Sequence, residues 1–317
     1  MDISFLQDHK ITVLMGGPGV EREVSLSSGA AVTKALLTAG LSVVPCEVKG
    51  RDLMLPRGTT FVMNMIHGTF GEDGELQGLL EEQGIAYSGA GVEASRLAIN
   101  KIESKKRFLK DGIPTAPFEI LRPGEFPSLV VPFVVKAPKE GSALGIYIVK
   151  ENDPAVIKAA LEGAFEYGSE ILVEEFFLGK ELTVGILGDQ VLPIIEIQAK
   201  DGIYNYQNKY SPHGSRHLIP APLDPLMTEK VKEIALAAHR SLGVEVYSRV
   251  DIILGQDGRI AVLEVNTIPG MTETSLLPDA ARVFGLDFTA LCVRVMELSL
   301  ITRKKYKDST HHDCSSL

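Results

Sequence analysis

Residues 10–100 predict an α/β domain on a parallel sheet, and the chain from about residue 130 onward predicts an α+β unit rich in hairpins. In the first stretch, short apolar runs alternate with longer amphipathic ones at strand–helix spacing. In the second, apolar runs flank the short turns Gly188-Asp189 and Gly255-Gln256-Asp257-Gly258, as in antiparallel neighbours. The chain has 317 residues, 45% apolar and 23% charged. That suits two or three domains with a core large enough to need no disulfide or structural metal.

The elements follow in order. Residues 10–15 (KITVLM) read as a buried strand ending in Gly16-Gly17. Residues 25–40 read as a helix with Ser25 or Ser27 as its cap and Gly40 as its stop. Strands follow at 41–48 and 61–66, then helical stretches at 74–84 and 91–112. Past the proline-rich 114–127, a strand at 131–137 leads into the glycine-rich loop 140–145 and a partner strand at 146–150. Asp153-Pro154 opens a helix to 167, with cap and proline where a helix start favours them. A strand at 171–176 closes this unit. Strands at 183–187 and 191–197 form one expected hairpin, 247–254 and 259–266 another, with a helix at 224–242 between them. Residues 201–222 lack periodicity, the mark of a functional lid. Two further helices lead to a polar tail expected to fray from 303.

Formal net charge is -9, which argues against a nucleic-acid partner, since phosphate backbones are bound by clustered Lys and Arg. The three cysteines, Cys46, Cys292 and Cys314, have neither disulfide nor metal spacing and fit a reducing compartment. The N-terminus has no apolar signal core, and no run approaches the roughly 18 apolar residues of a membrane span. A cytoplasmic location is expected.

The second hairpin is the most informative segment. In an even register, residue i faces 513 minus i, placing Arg249 opposite Glu264 and Asp251 opposite Val262. Alternation then puts Arg249, Asp251, Glu264 and Asn266 on one face. Two carboxylates and an amide oxygen suit a hard cation such as Mg²⁺, which shares its shell with phosphates, and Arg249 would neutralise phosphate charge. Seen alone, the same pattern fits a solvated face with a salt bridge. The flanking runs VDIIL and IAVLEV are core strands, however, and core carboxylates need partners or metals. Asn266 also runs directly into the tight loop 267–272 (TIPGMT).

Lys136 ends an apolar strand just before KEGSALG (139–145), a pairing that suits a polyphosphate but equally a plain hairpin turn. Lys101 opens a basic helical stretch that by itself reads as a solvated face. Residues 171–181 (ILVEEFFLGKE) offer carboxylates and carbonyls for a nucleotide base, a weak signal. Gly16-Gly17-Pro18-Gly19 is not a dinucleotide fingerprint, because Arg22 occupies the third glycine position. The loop does place Glu21 at the carboxyl end of the first strand, where open parallel sheets bind ligands.

Taken together and in order, GGPGVEREVSLSSG (16–29), HGTFGEDGELQG (67–78), VVKAPKEGSALG (134–145), NKY (208–210), RVDI (249–252) and LEVNTIPGMTETSLLP (263–278) resemble the D-alanine–D-alanine ligases of the ATP-grasp superfamily, over residues 10–300. The resemblance implies an N-terminal substrate-binding domain at 1–100, a central ATP-grasp subdomain at 101–182, a C-terminal ATP-grasp subdomain with metal site and lid at 183–302, and a flexible tail at 303–317. It implies ATP-dependent joining of two D-alanines through an acyl phosphate, for peptidoglycan, by a homodimer.

The resemblance also carries residue roles. Glu21 would bind the ammonium of the first D-alanine and His67 would lie near its carboxylate. Ser142 would link Glu21 to the lid residue Tyr210. Lys209, Ser275 and Leu276 would hold the second substrate, and Arg249 and the Gly270 N–H would stabilise the oxyanion. Lys101 and Lys136 would contact phosphates, and Glu174, Phe177 and Glu181 adenine and ribose. Asp251, Glu264 and Asn266 would hold two Mg²⁺ ions, or Mn²⁺. This chain departs from the pattern at Ala143, Phe176 and Ile268, where relatives commonly carry Ser, Trp and Ser. The related D-alanine–D-lactate ligases are the nearest rival, and Tyr210 favours the dipeptide. Another ATP-grasp enzyme is disfavoured by EREVS and NKY, and a non-catalytic nucleotide binder by the intact charged set.

Overall fold

The computed structural model describes residues 4–142, 144–199 and 215–313, with the side chains at 199, 215 and 305–313 outside that description. Lys209 and Tyr210, the expected lid residues, lie outside the described residues.

The first sheet is parallel and four-stranded. Its strands are β1 (Lys10–Gly16), β2 (Ser42–Val48), β3 (Phe61–Asn64) and β4 (Ala86–Tyr87), in the order β2-β1-β3-β4. β1 is buried at every position after Lys10, as a central strand covered on both faces must be. Side-chain alternation splits the core. Ile11, Val13 and Met63 pack with Val32 and Leu36 of helix α1 (Arg22–Thr38). Leu14 and Val62 pack on the other face with Leu76 and Leu80 of α2 (Glu75–Glu82).

Neither Ser25 nor Ser27 caps α1, which begins at Arg22. Ser25 lies inside the helix with its hydroxyl buried. That hydroxyl accepts from the Gly16 N–H at 2.8 Å and donates to the Met65 carbonyl at 2.6 Å, so it satisfies strand-end backbone groups instead of helix ones. The expected helix at 91–112 is two helices, α3 (Val92–Ile99) and α4 (Lys101–Lys110). Asn100 between them is extended, and its side chain accepts from the Ile102 and Glu103 N–H groups, an N-cap that stops one helix by starting the next.

The second sheet is antiparallel, ordered β5-β8-β6-β7 from β5 (Phe118–Leu121), β6 (Phe133–Lys136), β7 (Ile146–Val149) and β8 (Ile171–Glu175). Helix α5 (Pro154–Phe165) covers it, capped by Asp153 as expected. β5 lies among the prolines of 114–127, where the sequence pattern predicts no strand.

Among the described residues the third sheet has six strands. They are β9 (Gly179–Leu187), β10 (Gln190–Val191), β11 (Ile195–Ala199), β12 (Ser215–Leu218), β13 (Tyr247–Gly255) and β14 (Ile260–Asn266). The order is β12-β11-β9-β13-β14, with β10 paired to β9. Helix α6 (Pro225–Ser241), capped by Asp224, packs Val231, Ala235 and Ala238 over Val250, Ile252 and Leu254. β12 falls within 201–222, where the sequence shows no periodicity.

Helices α7 (Leu276–Phe284) and α8 (Phe288–Asp313) return to the first sheet and share its larger core through Leu277, Leu291 and Val295. The expected flexible tail from 303 begins instead as helix. Arg303 is buried, donates to the Gly89 carbonyl at 2.8 Å and lies 4.0 Å over the Tyr87 ring. Its polarity suggested a free end, but its guanidinium has a built socket. Among the described residues no helix is long and apolar enough to cross a membrane.

Candidate active site

The β13–β14 hairpin pairs differently from the simple even register. Arg249 faces Asn266 and Asp251 faces Glu264. A register shift between Asp251 and Ile252 then makes Leu263 an extra residue on β14, and Ile252 faces Val262. The expected pairs Arg249–Glu264 and Asp251–Val262 are therefore corrected: each partner lies two residues further along β14, because the turn shifts the register by one residue and the bulge by one more. The shared face survives, since directly opposed side chains point the same way. Arg249 holds Asp251 in a two-point contact, Nε to Oδ1 at 3.0 Å and Nη2 to Oδ2 at 2.9 Å. Thr183 on β9 donates to Oδ1 at 2.6 Å. These bonds leave lone pairs on Oδ2. The Asn266 Oδ1 is buried with no hydrogen-bond partner.

A second group of charges reaches this hairpin from α4. Lys101 Nζ lies 3.2 Å from Glu264 Oε2 and donates to the Glu140 carbonyl at 2.8 Å, tying the glycine-rich loop to the hairpin. One helical turn on, Lys105 is fully buried, 3.2 Å from Glu174 Oε1. It also donates to Thr115 Oγ1 at 2.5 Å. Lys136 donates to the other oxygen of Glu174 at 2.9 Å. Burial opposes ionisation of Glu174, but the two ammonium groups outweigh it and hold the carboxyl below its ordinary range. Burial also lowers Lys105 to about 8, despite the attraction of Glu174. Lys105 is the residue the sequence reading missed. Its spacing of four from Lys101 puts both on one helix face, and that face is buried, not solvated.

Glu21 stands at the start of α1, off the carboxyl end of β1. Ser142 donates to its Oε1, and a Cβ on Gly141 would sit 2.8 Å from Oε2, so only glycine admits the carboxylate this closely. Ser142 itself has φ 51, a left-handed conformation costing about 1–2 kcal/mol for a side-chain-bearing residue; such strain gathers where function needs it. The expected Glu21–Ser142 contact is present. Its third member, Tyr210, is outside the described residues.

His67 is buried beside this group. Its Nδ1 lies 2.9 Å from the Ile268 carbonyl and its Nε2 3.2 Å from Ser28 Oγ. Burial works against the imidazolium, but the Glu72 carboxylate, 3.8 Å from Nδ1, together with Glu21 and the Ile268 carbonyl, raises the His67 pKa overall. Glu72 is raised in turn by its own burial, against the pull of His67.

The loop after β14 brings Gly270 to Ser275. A Cβ on Gly270 would lie 3.0 Å from Ser275 Oγ. Ser275 immediately precedes α7, and its Oγ accepts from the Thr272 N–H at 3.1 Å. Leu276 is buried in the first turn. Such a helix start favours a carboxylate. At the other end of β9, Glu181 shares the face of Thr183, and Phe177 lies under the Arg259 guanidinium at 4.5 Å. Phe177 and Glu181 thus stand on the bend and strand that follow Glu174.

A divalent cation fits the hairpin donors. Among the described residues no three His, Cys, Asp or Glu gather to hold a metal, so Asp251 and Glu264 reach three donors only with Asn266. The unpartnered Asn266 oxygen is what such an ion would use, and all three donors are oxygens, as Mg²⁺ prefers.

A family model described as D-ala D-ala ligase C-terminus matches residues 108–297. A protein named D-alanine--D-alanine ligase from Methylacidiphilum infernorum is 42% identical over 299 residues, covering 93% of this chain and 97% of that one. Its namesake from Citrifermentans bemidjiense is 45% identical over 302 residues, covering 94% and 98%. Among solved structures, the D-alanine--D-alanine ligase of Bacillus anthracis complexed with ATP matches with a TM-score of 0.82 at 31% identity, covering 94% of this chain and 99% of that one. The VanG D-Ala:D-Ser ligase of Enterococcus faecalis matches with a TM-score of 0.80 at 27% identity, covering 92% and 99%. The parallel sheet followed by two antiparallel sheets is thus the ATP-grasp architecture expected from the motifs. Family model, relatives and fold agree over nearly the whole length, and the chain belongs to the D-alanine–D-alanine ligase family.

Proposed function

We propose that this chain joins two D-alanine molecules to D-alanyl-D-alanine with ATP, through a D-alanyl phosphate, and so supplies a peptidoglycan precursor. The observation that carries the reading is the hairpin face where Asp251 opposes Glu264 and Arg249 opposes Asn266, continued by the loop to Gly270.

A carboxylate is a poor electrophile. Transfer of the γ-phosphoryl group of ATP to an oxygen of the first D-alanine's carboxylate supplies a leaving group. The amine of the second D-alanine then attacks the acyl carbon, the tetrahedral intermediate collapses, phosphate departs and a proton leaves the new amide nitrogen. The protein's part is positioning and charge stabilisation. In this reading Glu21 holds the first ammonium and His67 lies by its carboxylate. Lys101 and Lys136 bind phosphates, while Glu174, Phe177 and Glu181 take adenine and ribose. Arg249 and the Gly270 N–H meet the oxyanion. Lys209, Ser275 and Leu276 hold the second substrate, and Ser142 with Tyr210 closes over Glu21. Asp251, Glu264 and Asn266 would hold two Mg²⁺ ions, with Mn²⁺ as substitute, whose chemistry is to neutralise phosphate charge. The finer reading adds a homodimer in the cytoplasm, with domain boundaries near 100, 182 and 302.

The test is phosphate release from ATP with D-alanine, set against L-alanine, D-lactate and D-serine as second substrate, with product analysis. D-alanyl-D-alanine as main product is expected. An ester with D-lactate as the main product, or no phosphate release, would overturn the reading.

A further inference from the structure

Ser28, which no part of the mechanism above uses, forms the centre of a clamp on the loop that carries Gly270. It lies on α1, fully buried, and its Oγ accepts from the Met271 N–H at 3.2 Å. The same Oγ lies 3.2 Å from His67 Nε2, and His67 Nδ1 donates to the Ile268 carbonyl at 2.9 Å. Ile268 and Met271 bracket Gly270. A single hydroxyl and a single imidazole thus hold both ends of a four-residue loop more than two hundred positions away in the chain. The arrangement works in either state of His67. A neutral ring accepts from the Ser28 hydroxyl, and an imidazolium donates to it, while Oγ keeps the Met271 N–H in both cases.

The contact matters because the Gly270 N–H can stabilise an oxyanion only if its direction is fixed to within tenths of an ångström. Glycine does not fix itself. On its other side stands Ser275, whose Oγ would lie 3.0 Å from a Cβ there, so a side chain at 270 would press on that hydroxyl. The stiffness comes from the flanking residues.

We propose that Ser28 is a positioning residue for the ligase reaction, aiming the Gly270 N–H at the developing oxyanion through the Met271 and Ile268 backbone. The inference rests on the proposed ligase chemistry. Its test compares Ser28→Thr with Ser28→Val, nearly isosteric changes that differ in the hydroxyl, and adds Ser28→Ala in case the added methyl of the first two disrupts the helix. Losing the hydroxyl should lower kcat by about tenfold to a hundredfold, with KM for ATP within about twofold. Affinity for a phosphinate isostere of the dipeptide, tetrahedral at the reacting centre, should fall by the same factor. Ser28→Thr should recover most of this. Amide exchange at Met271 should quicken in the Val and Ala variants only.

Equal kcat in the Thr and Val variants would overturn the proposal. So would faster Met271 exchange with unchanged phosphinate affinity, since the clamp would then exist without aiming anything. If the wild-type chain makes no dipeptide, the ligase reading fails instead, and Met271 exchange still decides the clamp.

Discussion

Changing Glu174 to Gln leaves two buried ammonium groups facing a neutral amide. In the native protein those ammonium nitrogens stand 2.9 Å and 3.2 Å from the carboxylate oxygens. At an effective dielectric of about 20, each attraction is about 5–6 kcal/mol. Removing the carboxylate returns its desolvation cost of several kcal/mol, and the amide oxygen still accepts one charged hydrogen bond worth about 2 kcal/mol. The balance is a loss of about 3–5 kcal/mol in the second sheet. Amide exchange at Val135 and Val173, which face each other across β6 and β8, should speed up by two to nearly four orders of magnitude. The effect should depend on pH. Lys105 has a folded pKa of about 8 against an ordinary 10.5. A depressed folded value means the unfolded chain binds more protons between the two, so native stability gains as pH rises through that window. Without Glu174 the folded value drops further and the window opens lower. The variant's deficit, measured against wild type at each pH, should therefore shrink between pH 6 and pH 8. Exchange within tenfold of wild type, or a deficit that ignores pH, would refute this account.

Glu264→Gln should abolish phosphate release while leaving the circular dichroism spectrum unchanged, and a chelator should do the same to wild type until Mg²⁺ is restored; near-normal turnover in either case removes the metal assignment. Arg303→Ala should destabilise the chain by about 2 kcal/mol in urea, since it deletes a buried hydrogen bond and a ring contact, whereas a frayed tail would show no change. For His67, whose folded pKa is raised, the stabilisation is complete below the ordinary value of about 6.5 and disappears as pH rises through the folded value. The stability gap between wild type and His67→Asn should accordingly narrow on going from pH 6 to pH 9 in denaturant titrations.

The elements that could be read from the sequence are those where local and global demands agree. Asp153-Pro154 caps a helix because a single residue's side chain and the next one's fixed φ suffice, and α5 begins there. The parallel sheet could be read because both faces of β1 are apolar. What could not be read depends on partners far along the chain. Ser25 looks like a cap until Gly16 and Met65 arrive to bind it. Lys105 looks solvated until Glu174 is placed beneath it, and Arg303 looks like tail until Gly89 offers a carbonyl. In each case a polar side chain in a locally polar context has its partner at a sequence distance no periodicity reveals.

The hairpin shows how one residue decides the site. Along β14 the even positions Ile260, Val262, Glu264 and Asn266 would all point the same way in an unbroken strand, mixing core side chains with site side chains. Ile260 and Val262 belong to the core that holds Val250, Ile252 and Leu254, and so does Val265. Only a change of parity between 262 and 265 satisfies both requirements, and the extra residue Leu263 provides it. Without it, either Glu264 enters an apolar core at a cost of several kcal/mol, or Val262 leaves the core and faces Asp251. The simple register chose the second of these. It kept the charged face but put a valine where the carboxylate pair stands. With the bulge, Asp251 and Glu264 meet directly and Arg249 meets Asn266. The strand that builds the core is thereby also able to present oxygen donors at its end.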